Sequence, residues 1–507
     1  MPIASAAWGW GPTQVSLIAA IEQRPRAALG WFLAIHAVLW TVLPTLVYPN
    51  LPLDLIEALT YGREWQLGYD KLPPLPWWLV EIVYRTIGHD IGYYLLAQIA
   101  VVSAFIAIYL LSRPLVGDLR ALIAILIIDG LHFFNFTAEK FNHDVIQLPF
   151  WALAALTFHR VLRGGGMRYW LLFGLAVGVS LWAKYFFVVL VAPLALFMVF
   201  DREARAHLPT PGPYLAVAVA LIVTAPHLVW LVAHNFLPFV YAEARAATSR
   251  GLIDHVLHPL TFAGGQLFFL LPVLVIAAPL CSRERAPVAA AADAYDRRIV
   301  TLLAFGPAAA LLALLALSGR GAIAMWGYPL WLCLGLWIVM TVEPALDRLQ
   351  LTRIVAIWAF VTAAFGIAFV ANYVFLPSID GRYRAVLYPG QTLATEISQR
   401  FRAATGQPLR YVIGRTWDGG NIAHYSSDRP RVLIDGNPAR SPWIDLSDLR
   451  RHGAVVLWTS ADPRPNGIPT EFSFATKAAV MQPPFTLPFH RGPHVLRVTW
   501  AVLYPSP

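Results

Sequence analysis

The sequence predicts a polytopic α-helical membrane protein, with about eleven transmembrane helices and a small C-terminal α/β domain outside the membrane. Of the 507 residues, 58% are hydrophobic and only 13% are charged, whereas a soluble domain carries roughly 25% charged residues. Apolar runs of spanning length recur between residues 28 and 376. Arginine residues cluster in short groups between these runs, which is the pattern of the positive-inside rule.

The predicted spans follow one another closely, and arginine decides where the chain turns. They lie near residues 28–48, 93–112, 119–136, 145–162, 169–182, 185–200, 213–233, 261–280, 299–317, 322–341 and 353–376. The fifth and sixth are short, but Arg168 precedes the pair and Arg202 follows it, so we expect the chain to turn back near Lys184. The same rule places the N-terminus on the cytoplasmic side of the membrane and the segment after residue 376 on the opposite side. In a bacterial inner membrane, the predicted location, that opposite side is the periplasm.

The chain divides into a transmembrane domain, residues 1–376, and a predicted periplasmic domain, residues 377–507. In the second domain the runs RYVIGRT, RVLIDG and AVVLWTS are typical of short strands. The run LATEISQRFRAAT has the apolar spacing of an amphipathic helix. Two loops of the transmembrane domain, 49–92 and 234–260, are predicted to reach the same outer side.

Composition and motifs exclude several function classes. The net charge of +9 comes from scattered clusters rather than one basic face, so no nucleic-acid partner is expected. Cys281 and Cys333 indicate no disulfide framework. No glycine-rich loop follows a strand, so a Rossmann-type nucleotide-sugar site finds no support. His143 beside Asp144 is too little for a metal site, so no cofactor is assigned and a divalent cation is left open.

Lysine is rare in this chain and is placed at the outer side. The only lysines are Lys71, Lys140, Lys184 and Lys477, and under the predicted topology the first three lie at the outer face of the membrane domain. An ammonium group on a flexible stem suits a phosphate at the lipid boundary. Lysines at helix ends also snorkel towards water without any ligand, and both interpretations stay open.

Acidic residues share this bias towards the outer face. Asp54 and Glu57 stand one helical turn apart in the first outer loop, and Glu139 and Asp144 flank the second lysine. Ionisable groups beside membrane spans are costly and are functional candidates by default. Asp54 also opens a predicted helix, where it would serve as an N-cap, and Glu57 could belong to an ordinary solvated helix face.

The stretch LDLIEALTYGREWQLGYDKLPPLPWWL resembles the first outer loop of the bacterial family 39 glycosyltransferases, which have the GT-C fold. Relatives include the Rgt-type lipopolysaccharide glycosyltransferases, the protein O-mannosyltransferases and the aminoarabinose transferase of lipid A. Asp54 matches the acidic residue that follows the first span, and Pro73-Pro74-Leu75 matches the Pro-Pro-Leu element. The stretches NHDVIQLPFW and GLAVGVSLWAKYFFVVL match two further landmarks, and the resemblance covers residues 30–340.

Two positions depart from the family pattern. Many relatives have Asp-Glu at the first acidic position, where this chain has Asp54-Leu55. Many also have a histidine directly before the Pro-Pro pair, where this chain has Leu72. If that histidine contacts the donor phosphate or a metal in the relatives, Lys71 or Asp70 would take its place here; otherwise the site is altered or degenerate.

The resemblance implies that the protein transfers a sugar from a polyprenyl-phosphate donor to an envelope glycan, lipid or protein in the periplasm. Asp54 would be the general base of an inverting reaction, and Asp144 is the second catalytic candidate. The donor phosphate would be bound by Lys71, Lys140, Lys184 and Arg320. Supporting or acceptor-binding roles are expected for Glu57, Asp70, Glu139, His143, Arg245 and Arg250. Arg320 could equally be a plain helix-end anchor, and the last two arginines could equally face solvent.

Two other function classes compete with the enzyme. A transporter or flippase for a lipid-linked saccharide would place charge near the bilayer midplane and often shows internal repeats. Asp129, in the third predicted span, is the one candidate for such a charge, and no internal repeat is evident. A non-catalytic scaffold or sensor is the third class, which the altered motif at Leu72 keeps open.

Overall fold

The computed structural model describes residues 12–245, 248–281, 292–460, 472 and 478–506, and each of the eleven predicted spans overlaps a helix in this part of the chain. The helices up to residue 370 are α1 (Pro12–Gln23), α2 (Pro25–Val47), α3 (Leu53–Gly62), α4 (Leu75–Thr86), α5 (Ile91–Val116), α6 (Asp118–Asp129), α7 (His143–Leu162), α8 (Met167–Ala183), α9 (Val188–Phe200), α10 (Arg202–Arg205), α11 (Pro211–Ala233), α12 (Leu237–Arg245), α13 (Asp254–Ala277), α14 (Ala294–Ser318), α15 (Leu334–Val342) and α16 (Arg348–Val370). Within the described residues, seven helices are long and apolar enough to cross a membrane, and α8 and α9 are shorter apolar helices. The protein is therefore a multi-pass membrane protein.

The arginine-rich loops share one face of the helical domain, because ion pairs join them to one another. These pairs are Arg26 with Asp118 at 3.0 Å, Arg163 with Asp293 at 2.8 Å, Arg298 with Asp201 at 2.8 Å and Arg348 with Glu22 at 3.1 Å. Trp170 at the start of α8 also packs against Gly212, which follows α9. The chain therefore turns back after α8, as the charges predicted. The direction of the domain across the membrane stays a prediction.

Two of the predicted spans, 119–136 and 322–341, are only partly helical. Helix α6 ends at Asp129, and residues 121–129 are all buried. Helix α15 packs directly on it, since a Cβ atom at Gly335 would lie 2.1 Å from the carbonyl oxygen of Ala124. Backbone that leaves the helical conformation at membrane depth is tolerated where protein covers it. The apolar runs reflect this burial inside the protein rather than helices of full spanning length.

Asp129, the charge considered for a transporter, ties three helices together. Its Oδ1 lies 2.9 Å from Nδ1 of His36 in α2, and Nε1 of Trp358 in α16 donates to its Oδ2 at 2.7 Å. All of these contacts are internal to the helical domain. The arrangement is that of a buried polar cross-link between α2, α6 and α16.

Small residues bring α8 and α11 into close contact and thereby position the end of α8. A Cβ atom at Gly174 would lie 2.5 Å from the carbonyl oxygen of Ala216, and one at Gly178 would lie 2.8 Å from Cβ of Val223. Glycines four residues apart allow two helix backbones to approach closely within a membrane. Because α8 is fixed in this way, Lys184, which follows directly after it, has a defined position.

The C-terminal domain is a mixed sheet with helices, as predicted. Its helices are α17 (Pro377–Asp380), α18 (Gly390–Thr405), α19 (Thr416–Tyr425) and α20 (Leu446–His452), and its strands are β1 (Tyr411–Gly414), β2 (Arg431–Ile434), β3 (Ala454–Ser460), β4 (Val480–Met481), β5 (Phe485–Pro488) and β6 (Val495–Leu503). The order is β2-β1-β3-β6-β4, with β5 also pairing β6. Strands β2, β1 and β3 run parallel, and β6 is antiparallel to β3. The three predicted strands are β1, β2 and β3, and the predicted helix is α18.

This domain rests on the outer loop 49–92, which folds into α3 and α4. A Cβ atom at Gly420 in α19 would lie 2.4 Å from Oγ1 of Thr60 in α3, so the backbone of α19 packs directly against side chains of α3. Nη1 of Arg63 also donates to the carbonyl oxygens of Arg429 and Pro430 at 2.8 and 2.9 Å. The C-terminal domain thus fixes the helix that carries Asp54.

Candidate active site

Two of the three lysines predicted at the outer face are held in ion pairs with candidate acids. Lys71 pairs with Glu57 across the outer loop. Nζ of Lys184 lies 2.5 Å from Oδ1 of Asp144, at the start of α7. Both pairs are largely buried, so each ammonium group is neutralised by a partner in the resting protein.

Lys140 is less tightly paired than the other two. Its Nζ lies 3.9 Å from Oε1 of Glu139, and its side chain is 30% exposed, compared with 19% for Lys71 and 12% for Lys184. An ammonium group that is exposed and loosely paired loses little when it binds a new anion. Among the three lysines, this one therefore has the least tightly paired ammonium group.

Asn142 links Asp54 to the start of α7. Its Nδ2 donates to Oδ2 of Asp54 at 2.7 Å. Its Oδ1 accepts from the backbone nitrogens of Asp144 and Val145 at 2.9 and 3.1 Å, which makes it the N-cap of the helix. One amide group therefore fixes both the candidate base and the helix turn that carries the second candidate carboxylate.

Asp54 and Lys140 line one cavity of about 470 Å³ at the outer side of the helices. The opposite wall comes from the end of the transmembrane domain and the segment that follows it, and its polar side chains are Asn372, Tyr373, Arg382, Tyr383 and Arg384. The cavity is therefore lined both by a carboxylate, that of Asp54, and by several cationic side chains. A reaction that needs a base and an anion-binding group could use both within this space.

Glu139 lies behind Lys140 and is fully buried. The hydroxyl of Tyr48 donates to its Oε1 at 2.8 Å, while its Oε2 has no hydrogen-bond partner. Burial raises the pKa of Glu139 to about 7, although Lys140 and Tyr48 act to lower it. Glu139 thus supports the position of the cavity lysine rather than facing the cavity itself.

His143 and Asp70 have neighbours that hold the outer loop in place. Nε2 of His143 lies 2.9 Å from the carbonyl oxygen of Pro73, and its ring meets the edge of Trp77 at a centroid distance of 5.1 Å. Asp70 accepts from Nε of Arg440 in the C-terminal domain at 2.6 Å. Both residues therefore act on the loop and not in the cavity.

The remaining predicted arginines are not brought together with this cluster. Arg320 donates to the carbonyl oxygen and to Oε1 of Glu243, at 3.0 and 2.9 Å. Arg250 has an exposed side chain, and its backbone nitrogen donates to Asp254 at 2.6 Å. The side chain of Arg245 lies outside the described part of the chain. A phosphate-binding role of Arg320 would require it to leave its glutamate.

No group of three or more histidine, cysteine, aspartate or glutamate side chains that could hold a metal ion occurs in the described residues. Two of the carboxylates near Asp54, those of Glu57 and Asp144, already have lysine partners. These residues are therefore a poor fit for a divalent cation, which prefers several free oxygen ligands.

Several residues of the site escaped sequence reasoning. Asn142 carries no charge, although its place before a predicted helix is typical of an N-cap. Tyr373, Arg382 and Arg384 come from a segment more than two hundred residues away from Lys140 in sequence, and no local pattern joins them to it. Nη1 and Nη2 of Arg384 hold Asp380 at 2.9 and 2.8 Å, so this arginine also shapes the wall of the cavity.

Comparison with known proteins finds similarity to glycosyltransferases. A family model described as dolichyl-phosphate-mannose-protein mannosyltransferase matches residues 71–230. The lipopolysaccharide core galacturonosyltransferase RgtA of Rhizobium johnstonii is 24% identical over 479 residues, which cover 89% of this chain and 91% of that protein. The fold matches ArnT from Cupriavidus metallidurans bound to undecaprenyl phosphate with a TM-score of 0.64, at 15% identity over 95% of this chain and 100% of that one. The chain has the GT-C fold and is similar in sequence to glycosyltransferases.

A second similarity lies within the Rgt group. The lipid A galacturonosyltransferase RgtD of the same organism is 26% identical over 180 residues, or 34% of this chain and 37% of that protein. The family resemblance drawn from the outer loop is thereby confirmed, as are the polytopic fold and the small C-terminal domain. The predicted roles of individual residues are a separate matter and stay predictions.

Proposed function

We propose that this protein transfers a sugar from a polyprenyl-phosphate donor to an acceptor in the bacterial envelope, with Asp54 as the general base. The single observation that supports this best is that Asp54 and Lys140 line the same cavity. ArnT, whose fold this chain shares, was solved with undecaprenyl phosphate bound, and RgtA and RgtD act on lipopolysaccharide core and lipid A. A lipid or glycan of the outer envelope is therefore the proposed acceptor class.

The proposed reaction divides the charges of the cavity between its two substrates. The acceptor hydroxyl gives its proton to the carboxylate of Asp54, and its oxygen forms a bond to the anomeric carbon with inversion. The bond between that carbon and the phosphate oxygen breaks, and the phosphate keeps the electron pair. The polyprenyl phosphate therefore leaves with one more negative charge, which Lys140 stabilises at the mouth of the cavity.

In this proposal, Lys71 and Lys184 bind the phosphate only if they first release their carboxylate partners. Each already holds a carboxylate, so a phosphate would have to displace Glu57 or Asp144 to bind either ammonium group. The contribution of these lysines is accordingly expected to be smaller than that of Lys140. The active site and the C-terminal domain are proposed to lie in the periplasm, opposite the arginine-rich face.

Replacement of Asp54 by Asn tests the general base. Asn keeps an oxygen that accepts from Asn142, so the geometry should survive while the basic group is lost. We expect kcat to fall by about a hundredfold or more, the usual contribution of general-base catalysis, with binding of undecaprenyl phosphate changed less than threefold. Asp90→Asn, on the same outer loop and 40% exposed, is the matched control and should retain the wild-type rate. Transfer at the wild-type rate by a stably folded Asp54→Asn protein would contradict the proposal, and it would leave the flippase as the better interpretation.

A further inference from the structure

Three arginines of the C-terminal domain each pair with a buried acid of the outer loop. Arg429 lies 2.7 Å from Glu81, Arg431 pairs with Glu64, and Arg440 lies 2.6 Å from Asp70. The first two acids lie far along the loop from the proposed phosphate site. The third, Asp70, directly precedes Lys71, so the state of this pair bears on a candidate donor ligand.

The carboxylate of Asp70 has two neutralising contacts. Nε of Arg440 donates to its Oδ2 at 2.6 Å, and the hydroxyl of Tyr61 donates to its Oδ1 at 3.1 Å. Arg440 also pairs with Asp435 in its own domain. Asp70 is therefore bound to the C-terminal domain, whereas the ammonium group of its neighbour Lys71 pairs with Glu57.

The surroundings of Asp70 make an unpaired carboxylate costly. Tyr61 stacks on Trp77 at a centroid distance of 4.4 Å, and Trp443 of the C-terminal domain meets Tyr61 and Tyr69 edge-on at 5.9 and 5.8 Å. Beside these rings the side chain of Asp70 is only 10% exposed, whereas that of Arg440 is 29% exposed. An unpaired charge in such a place is costly and is stabilised by a nearby cation. Lys71 directly follows Asp70 in sequence and is the candidate for that cation.

The charge balance of the loop points the same way. Glu57 interacts electrostatically with both Asp54 and Asp70, and Lys71 is its ion-pair partner. Without Arg440, the charge of Asp70 would be uncompensated near the pair of Glu57 and Lys71, and a phosphate approaching Lys71 would be repelled. With Arg440 in place, the charge of Asp70 is compensated from the other domain.

We infer that Arg440 is a positioning residue for the donor-phosphate site: it neutralises Asp70, so that a phosphate at Lys71 has only the carboxylate of Glu57 to displace. This inference rests on the proposed function, because it needs a phosphate ligand at Lys71. It assigns the C-terminal domain a part in donor binding, in addition to any part in acceptor choice.

The experiment measures binding of undecaprenyl phosphate to the purified full-length protein in detergent micelles. Arg440→Gln should weaken binding about tenfold or more, as expected for the loss of a hydrogen bond between charged groups that orders a site. The double variant Asp70→Asn with Arg440→Gln removes the stranded carboxylate as well, and should bind within about threefold of the wild type. Arg402→Gln makes the same change in the same domain, at an exposed pair with Asp428, and should bind as the wild type does.

The recovery in the double variant is the decisive readout. A purely structural role of Arg440 would leave the double variant as weak as the single one, and that result would overturn the inference, as would unchanged binding by Arg440→Gln. Where Arg440→Gln fails to fold, Asp70→Asn alone serves: binding equal to or tighter than that of the wild type supports the inference, and tenfold weaker binding overturns it. Failure of the wild-type protein itself to bind the lipid would instead contradict the proposed donor class.

Discussion

Asn142→Asp changes a single atom next to the proposed base, and its effect can be worked out from the structure. The new carboxylate would still accept from the backbone nitrogens that Asn142 now caps, and aspartate is as good an N-cap as asparagine. Its second oxygen, however, would replace the nitrogen that donates to Asp54 at 2.7 Å. A favourable hydrogen bond becomes a contact between two like charges, while the helix start is preserved.

The size of this effect follows from Coulomb's law. Two unit charges about 4 Å apart repel by about 4 kcal/mol at an effective dielectric constant of about 20, and each pH unit corresponds to about 1.4 kcal/mol. The two carboxylates together would therefore hold a proton more tightly, and the acid limb of the rate profile should move upward by about one to three pH units, roughly the range seen for paired carboxylates.

The assay is the pH dependence of kcat/KM for sugar transfer by the purified protein. Asn142→Ser is the control, because serine still caps the helix but adds no charge. Because it also removes the hydrogen bond to Asp54, it should lower the rate and move the acid limb upward by less than Asn142→Asp does. An Asn142→Asp protein with the wild-type pH profile would refute the reasoning, because it would mean that the group titrating in catalysis is not next to Asn142.

Two further predictions concern stability and the docking of the domains. Because burial raises the pKa of Glu139 to about 7 from its ordinary 4.5, the folded state binds this proton more tightly than the unfolded chain does, and stability should fall as the pH rises from 4.5 towards 7. Glu139→Gln should flatten this slope in thermal unfolding measured against pH, and an unchanged slope would contradict the raised pKa. Gly420→Val adds atoms where a Cβ would already lie 2.4 Å from Thr60, which should cost about 1–3 kcal/mol and expose the outer domain to limited proteolysis. Gly264→Val, where a Cβ would meet nothing within 4 Å, should leave the cleavage pattern unchanged.

Charge beside a membrane span is rare and therefore informative, and for that reason the sequence indicated the ion-pairing residues of the site as candidates, whose roles stay predictions. Lys184 and Asp144 were both singled out from the outer ends of their spans, and the structure joins them. Which acid pairs with which lysine could not be predicted. The pair Lys71 and Glu57 depends on how the loop 49–92 folds back on itself, and that fold is fixed by contacts with the C-terminal domain.

Hydropathy predicted which segments are shielded from water, but not whether lipid or protein covers them. The runs 119–136 and 322–341 are apolar enough to cross a bilayer, yet α6 ends at Asp129 because protein rather than lipid surrounds it. The cations on the far wall of the cavity, Arg382 and Arg384, were missed for a related reason. Their role depends on a long-range approach to Lys140, which no local pattern records.

A lysine that is already paired with a carboxylate attracts dissolved anions only weakly. The pairs of Lys71 with Glu57 and of Lys184 with Asp144 present mainly a dipole to their surroundings, whose field falls off faster with distance than that of a free charge. Inorganic phosphate and other small anions in the surrounding water therefore gain little by approaching. A phosphate tethered to a long hydrocarbon chain remains at the membrane surface whatever its charge contacts, and has time to exchange with the resident carboxylate. Such a cleft selects its ligand by the attachment of that ligand to the membrane as well as by its charge.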